Sequence, residues 1–227
     1  MAATVVVVNG GSPVADWHLG AITAVKNAGN DVLVIGVDSG IDRALEVGLA
    51  VDIAVGDFDS VTGRGLLEAE RSGARIVRHP TIKDRTDLEL AIDLAIDTDP
   101  ERIMFVAMDG GRPDHALANL LLVSDPRLKP FEVDVLLADA PVAVVHQRRT
   151  LTGRVGDIVS LIPIGGSCFG VTTSGLEYPL DDEALHPSHS RGVSNVFVAP
   201  VAVVDVRTGV LLAFQPLTDF RPQVETP

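Results

Sequence analysis

Sulfur, aromatic rings and positive charge are all scarce in this chain. A single cysteine, Cys168, stands among 227 residues. That excludes an intrachain disulfide and any Cys-x-x-Cys metal or redox site, and leaves Cys168 the expected role of a small core residue. Aromatics make up only 4%, so Val, Leu, Ile and Ala must fill the interior, and valine-rich runs favour buried strands. Lys and Arg number 18 against 31 Asp and Glu, a formal net charge of −13. Phosphate backbones need clustered cations, so this balance argues against nucleic acid as a partner and against an anionic membrane surface. No apolar run approaches the ~18 residues of a membrane span. Residues 1–8 lack the basic start of a signal peptide. A soluble, cytoplasmic protein is the expectation.

What is present is aliphatic bulk. The chain is 46% hydrophobic, enough for one large domain or two small ones. Its grammar changes midway. Residues 4–8, 31–37, 53–55, 75–77, 102–107 and 133–137 read as strands, with amphipathic segments such as 19–28 and 41–47 between them. That alternation implies an α/β domain over 1–146 with a mostly parallel sheet flanked by helices. From about residue 151, strands at 158–164, 170–173, 193–198, 201–206 and 209–214 follow without helices. An all-β sandwich over 151–214 is expected, with Arg207-Thr208-Gly209 as a hairpin turn and 215–227 as a loose tail.

The chemistry gathers at strand ends. Gly56-Asp57-Phe58-Asp59-Ser60 follows the run 51–55. Two carboxylates two residues apart on extended backbone share a side and repel unless a cation lies between them. Oxygen ligands of this kind suit Mg²⁺, or Mn²⁺, together with substrate phosphates. Two further strands end in acid-and-glycine loops: Asp38-Ser39-Gly40, and Asp109-Gly110-Gly111-Arg112-Pro113-Asp114-His115. Open parallel sheets bind ligands beyond these ends. Gly110 and Gly111 permit close backbone approach, Asp114 is placed as an N-cap, and Leu117, Leu120 and Leu121 are expected on the buried face of the helix that follows. His115 is a candidate base that more simply packs.

In Lys83-Asp84-Arg85-Thr86-Asp87-Leu88-Glu89, Thr86 and Glu89 have capping-box spacing, so a helix starts there. Leu88, Ala91, Ile92, Ala95 and Ile96 then mark one buried face. Asp87 lies in the first turn, and the neighbouring cations and free N–H groups favour a phosphate.

These motifs together resemble those of the thiamine pyrophosphokinase family. Asp38-Ser39-Gly40-Ile41-Asp42-Arg43-Ala44 is similar to ADGGANRA, and residues 56–60 match GDFDS. Residues 83–89 look like KDxTDLE, and residues 110–115 resemble GGRxDH. Gly170-Val171-Thr172-Thr173-Ser174-Gly175-Leu176 with Tyr178-Pro179-Leu180 resembles GVTTxGLxYPL, and Gly192-Val193-Ser194-Asn195 is similar to GTSN. The resemblance implies an ATP-dependent diphosphokinase, transferring diphosphate from ATP to the hydroxyethyl group of thiamine. It implies a homodimer with the acceptor site at the subunit interface. By position it makes Asp38, Asp57, Asp59, Asp87 and Asp114 the catalytic acids, with metal on Asp57, Asp59 and Asp87. Lys83, Thr86, Gly111 and Arg112 would contact nucleotide, and Ser194 and Asn195 would contact thiamine.

Departures exist. Ser39 and Asp42 replace the family's Gly and Asn, and the lone tryptophan, Trp17, lies in the first half rather than near the C-terminus. His186 and His189 read as surface residues. A hydroxymethylpterin diphosphokinase and a catalytically silent nucleotide or thiamine sensor are the alternative readings. The second-half motifs favour thiamine over pterin, and five acids held together favour an enzyme over a sensor.

Overall fold

A computed structural model describes residues 3–82 and 84–217. Lys83, an expected nucleotide contact, and positions 218–227 of the expected tail lie outside the described residues. The chain forms two compact units, Met1–Ala138 and Asp139–Pro227.

The first unit alternates strand and helix in the order β1 (Thr4–Val8), α1 (Asp16–Asn27), β2 (Val32–Val37), α2 (Gly40–Glu46), β3 (Ile53–Gly56), α3 (Gly63–Arg71), β4 (Arg75–Arg78), α4 (Asp87–Asp97), β5 (Arg102–Val106), α5 (Pro113–Leu122) and β6 (Glu132–Leu137). The strands pair in parallel in the order β4-β3-β2-β1-β5-β6. β1 is central, with Val6 opposite Val34 on one side and Met104 on the other. Val5 to Val8 are wholly buried, as expected of a strand covered on both faces.

The sequence pattern missed α3, because Gly63, Gly65 and several charges dilute its apolar face. Its start is fixed locally instead: the Thr62 hydroxyl accepts the Gly65 N–H at 3.0 Å and donates to Asp42 Oδ1 at 2.6 Å, while the Thr62 N–H donates to Asp42 Oδ2 at 2.7 Å. Asp42, the departure from the family pattern, is therefore a brace between α2 and α3.

α5 differs from expectation in rotation. Asn119 and Val123 are buried and Ala116 half-buried, while Leu117 is 61% and Leu121 47% exposed. The inward row is 116, 119, 120 and 123, one step away from the row read off the leucines. Asn119 turns inward because its Nδ2 donates to the Met108 carbonyl at 3.0 Å.

The second unit contains β7 (Ala140–Val145), β8 (Arg148–Thr152), β9 (Ile158–Ser174), β10 (Glu183–Leu185), β11 (Asn195–Val196), β12 (Val201–Asp205) and β13 (Thr208–Phe214). The 17-residue β9 serves two antiparallel layers. Its Ser160 to Ile164 pair with β13, which also pairs β7, and its Thr172 to Ser174 pair with β12, which also pairs β8. Leu161, Cys168, Val171, Phe197, Val204 and Leu211 are fully buried in the shared core. Burial pushes the Cys168 thiol up to about 11, so it is inert packing.

Four local expectations change here. The unit begins at Asp139, earlier than the expected domain limits of 146 and 151, because β7 pairs with β13 and β8 with β12. β8 was hidden by its charges; it lies at an edge, where Arg148 pairs with Asp205 at 3.0 Å. Residues 207–209 are not a hairpin turn: β12 and β13 pair with other strands, and the link carries the chain from one layer to the other. The first residues of the expected tail are pinned, with the Gln215 N–H donating to Pro141 and the Leu217 N–H to Asp139.

Candidate active site

The carboxyl ends of β1, β2, β3 and β5, with the start of α4, line one cavity of about 670 Å³. Three non-glycine residues at these ends have left-handed backbone: Asp38 (φ 48°), Phe58 (φ 65°) and Ala107 (φ 58°). Each such residue costs about 1–2 kcal/mol, and strain of this kind persists only where surroundings enforce it. Asp38 Oδ1 accepts the Phe58 N–H at 2.9 Å, tying the β2 loop to the β3 loop. Gly56, at φ 150°, makes this possible, since a Cβ there would collide with the Asp38 carboxylate. Asp57 Oδ1 in turn accepts the Asp59 N–H at 3.1 Å.

Asp38, Asp57 and Asp59 thereby offer carboxylate oxygens within 4.8 Å of one another. Asp38 bears the consequence. Burial above all pushes its carboxyl up to about 6; the Phe58 N–H opposes this, and the charges of Asp87, Asp57 and Asp59 reinforce it. Three crowded oxygen donors with such a penalty on one of them fit a hard divalent cation. Asp87, expected to share the metal, lies in the cavity wall and outside this trio; its charge is felt at Asp38.

α4 starts as expected, with the Thr86 hydroxyl accepting the Glu89 N–H at 3.3 Å. The reciprocal half of the capping box is replaced: Glu89 Oε1 takes the Arg85 Nε at 2.7 Å, and Arg85 also reaches Asp93 at 2.7 Å. Arg85, the cation read as favouring a phosphate at this helix start, is thus spent on the flank of α4. Thr86, Asp87 and Leu88 line the cavity.

On the β5 side, Gly110 and Gly111 have φ of 89° and 64°, and both line the cavity with Arg112, Asp114 and His115. Asp114 is not the N-cap: that position is Arg112, with Pro113 opening the helix and Asp114 in its first turn. Both side chains are exposed and face each other, Arg112 Nη2 to Asp114 Oδ2 at 2.6 Å and Nε to Oδ1 at 3.2 Å. This fork holds Asp114 down at about 2.

Sequence reading missed the fourth wall, Asn9-Gly10-Gly11 after β1. The signal was there, a glycine pair directly following an apolar strand. Asp109 braces this loop, accepting from Ser12 Oγ at 2.7 Å and from the Ala138 N–H at 3.0 Å.

Ser194 and Asn195 lie in the second unit. Ser194 is left-handed (φ 56°), and its N–H donates to Ser160 Oγ at 3.0 Å. Asn195 is buried, and its amide is engaged by backbone: Oδ1 accepts from Tyr178 N at 3.0 Å and Val196 N at 2.9 Å, and Nδ2 donates to Tyr178 O at 2.8 Å. It shapes a hollow of about 380 Å³ lined also by Tyr178, Arg191 and Val193. His186, read as a surface residue, is half-buried, with Nδ1 2.8 Å from Ser167 Oγ; His189 is exposed.

Comparison with known proteins supplies the family. Residues 26–135 match the model of the thiamin pyrophosphokinase catalytic domain, and residues 145–211 that of the thiamin pyrophosphokinase vitamin B1 binding domain. The thiamine pyrophosphokinase of Bacillus subtilis is 26% identical over 185 residues, 79% of this chain and 85% of that protein. Thiamine pyrophosphokinase 2 of Arabidopsis thaliana is 25% identical over 186 residues, 75% of this chain and 70% of that protein. The crystal structure of the Bacillus subtilis protein superposes with a TM-score of 0.78, covering 95% of this chain and 99% of that one at 23% identity. Thiamin pyrophosphokinase from Candida albicans gives 0.74 at 14% identity, over 95% and 89% of the two chains. With a catalytic-domain match over the carboxylate-lined cavity and a vitamin-binding match over the β-rich unit, the chain belongs to the thiamine pyrophosphokinase family.

Proposed function

We propose that this protein transfers a diphosphate from ATP to the hydroxyethyl oxygen of thiamine, giving thiamine diphosphate and AMP. The observation that carries this reading is the trio Asp38, Asp57 and Asp59, converging at strand ends inside the stretch that matches the catalytic-domain model. Asp38, Asp57 and Asp59 would hold a divalent cation, Mg²⁺ or Mn²⁺, and Asp87 would add charge beside them. Such a cation neutralises charge developing on phosphate oxygens during transfer.

The chain's own groups do the rest. Thr86, while capping α4, keeps a hydroxyl proton for a phosphate oxygen, and the first-turn N–H groups of α4 add donors suited to anions. The glycine-lined backbone at 10–11 and 110–111 lets phosphates approach closely. Arg112, with Asp114 as its fork partner, is positioned to exchange that carboxylate for a phosphate. One cavity carboxylate accepts the hydroxyl proton as the new bond forms. In the second unit Ser194 is the candidate acceptor contact, and Asn195 fixes the backbone that presents it. Assembly as a homodimer with the acceptor site at the subunit interface, and a cytoplasmic location beside the ATP supply, complete the proposal. Among the described residues no helix is long and apolar enough to cross a membrane.

Incubation with Mg-ATP and thiamine, or with hydroxymethyl-dihydropterin, tests it. AMP formation with thiamine alone supports the reading. ADP would refute diphosphate transfer, pterin turnover would move the acceptor, and no turnover with either would favour a sensor.

A further inference from the structure

The turn that presents Asp57 and Asp59 is held from outside by a residue that none of the site motifs contains. Arg78 closes β4, where it sits in parallel register with Gly56 of β3, and the His79 N–H donates to the Gly56 carbonyl at 2.9 Å. From there its guanidinium makes two contacts on the turn. The carbon at its centre lies 4.6 Å from the centroid of the Phe58 ring, a cation–π distance. Its Nη1 donates to the Asp57 carbonyl at 3.1 Å. Phe58 is the left-handed residue between the two carboxylates, and its ring packs against the buried core. Arg78 therefore grips the turn by its one ring and by the carbonyl that precedes the strained residue. It also sets a cation beside a negatively charged turn. The other described arginines near the cavity are committed elsewhere, Arg85 to Glu89 and Asp93, and Arg112 to Asp114.

We propose that Arg78 is a positioning residue, which locks the Asp57-Phe58-Asp59 turn in its left-handed form and thereby sets the divalent-cation affinity of the carboxylate trio. This rests on the reading of the trio as a metal site. Partners behind a metal's direct ligands commonly change affinity ten- to a hundredfold when removed. A planar fork that stacks and donates at once has no equivalent in lysine, a compact point charge.

The test uses the full chain as wild type, Arg78→Met and Arg78→Lys, each first shown by thermal melting to be folded. Mn²⁺ binding without nucleotide is read by electron paramagnetic resonance of the free ion. Mg²⁺ dependence, and KM for ATP and thiamine, are read from AMP formation. Arg78→Met is expected to weaken Mn²⁺ binding about tenfold, to raise half-saturating Mg²⁺ in proportion, and to leave KM for thiamine unchanged. Arg78→Lys should recover only part of the loss. Unchanged Mn²⁺ affinity in Arg78→Met overturns the proposal, and with a raised KM for ATP it assigns Arg78 to a phosphate instead. Full recovery in Arg78→Lys overturns the clamp in favour of charge alone. A Mn²⁺ shift in a protein that makes no AMP would keep the role of Arg78 while removing the diphosphokinase reading.

Discussion

At the scale of single residues, the same chemistry serves two ends that only partners distinguish. Asp38, Asp57 and Asp59 bring carboxylate oxygens within 4.8 Å of one another, whereas Asp42, Asp93 and Asp109 spend theirs on backbone, hydroxyl or guanidinium groups. Asp57→Asn keeps an oxygen for the Asp59 N–H but loses the charge. It is expected to melt close to wild type while kcat for AMP formation falls about a hundredfold or more. Turnover near wild type at saturating Mg²⁺ would remove Asp57 from the site. Asn195 makes the converse point. Its amide satisfies Tyr178 and Val196 backbone groups, and buried polar groups left without partners cost about 1–3 kcal/mol. Asn195→Ala should therefore lower stability in urea unfolding by about 2 kcal/mol, a loss that a purely substrate-contacting residue would not show.

Among the helices read from the sequence, α4 was legible in cap and buried face alike, while α5 was legible in place but not in rotation. The Thr86 cap and the row Leu88, Ala91, Ile92 and Ala95 can be read directly from spacing. Loss of such a cap costs about 1 kcal/mol. Thr86→Ala is accordingly expected to lower the urea midpoint by that equivalent, and to speed hydrogen exchange at the Glu89 amide. An unchanged exchange rate there would deny the cap. In α5 three leucines outvoted one asparagine in the sequence, yet Asn119 faces inward and Leu117 outward. Periodicity weighs hydrophobicity alone and cannot see that the Met108 carbonyl needs a donor.

For the whole molecule, each unit carries its own core, and the chain leaves the first at a point held by side chains far back in sequence. Trp17 Nε1 donates to the Ala138 carbonyl at 3.0 Å. His18 is fully buried; its Nδ1 accepts the Ala15 N–H at 3.0 Å, which leaves Nε2 as the donor to the Leu137 carbonyl at 2.9 Å. Burial lowers the His18 pKa below its usual 6.5, against the smaller raising effects of Leu137 and Asp109. A group that resists protonation only when folded contributes stability that is complete above 6.5 and lost as pH falls through and below it. Melting temperature should therefore drop between pH 6.5 and 5 more steeply in wild type than in His18→Gln. Parallel profiles would show that His18 does not set this slope.

The parallel α/β first half, the β-rich second half and the acidic strand ends are all legible in the sequence. Each is written locally, in valine runs of strand length, in caps, and in acids placed directly after strands. It named Asp38, Asp57 and Asp59 but not their grouping apart from Asp87, nor the fork between Arg112 and Asp114. Tertiary structure alone decided those, together with the Asn9-Gly10-Gly11 wall, the grip of Arg78 and the passage of β9 between two layers. All of these depend on which groups folding brings into contact, within about 3 Å where a hydrogen bond forms, and spacing along a chain does not record that distance.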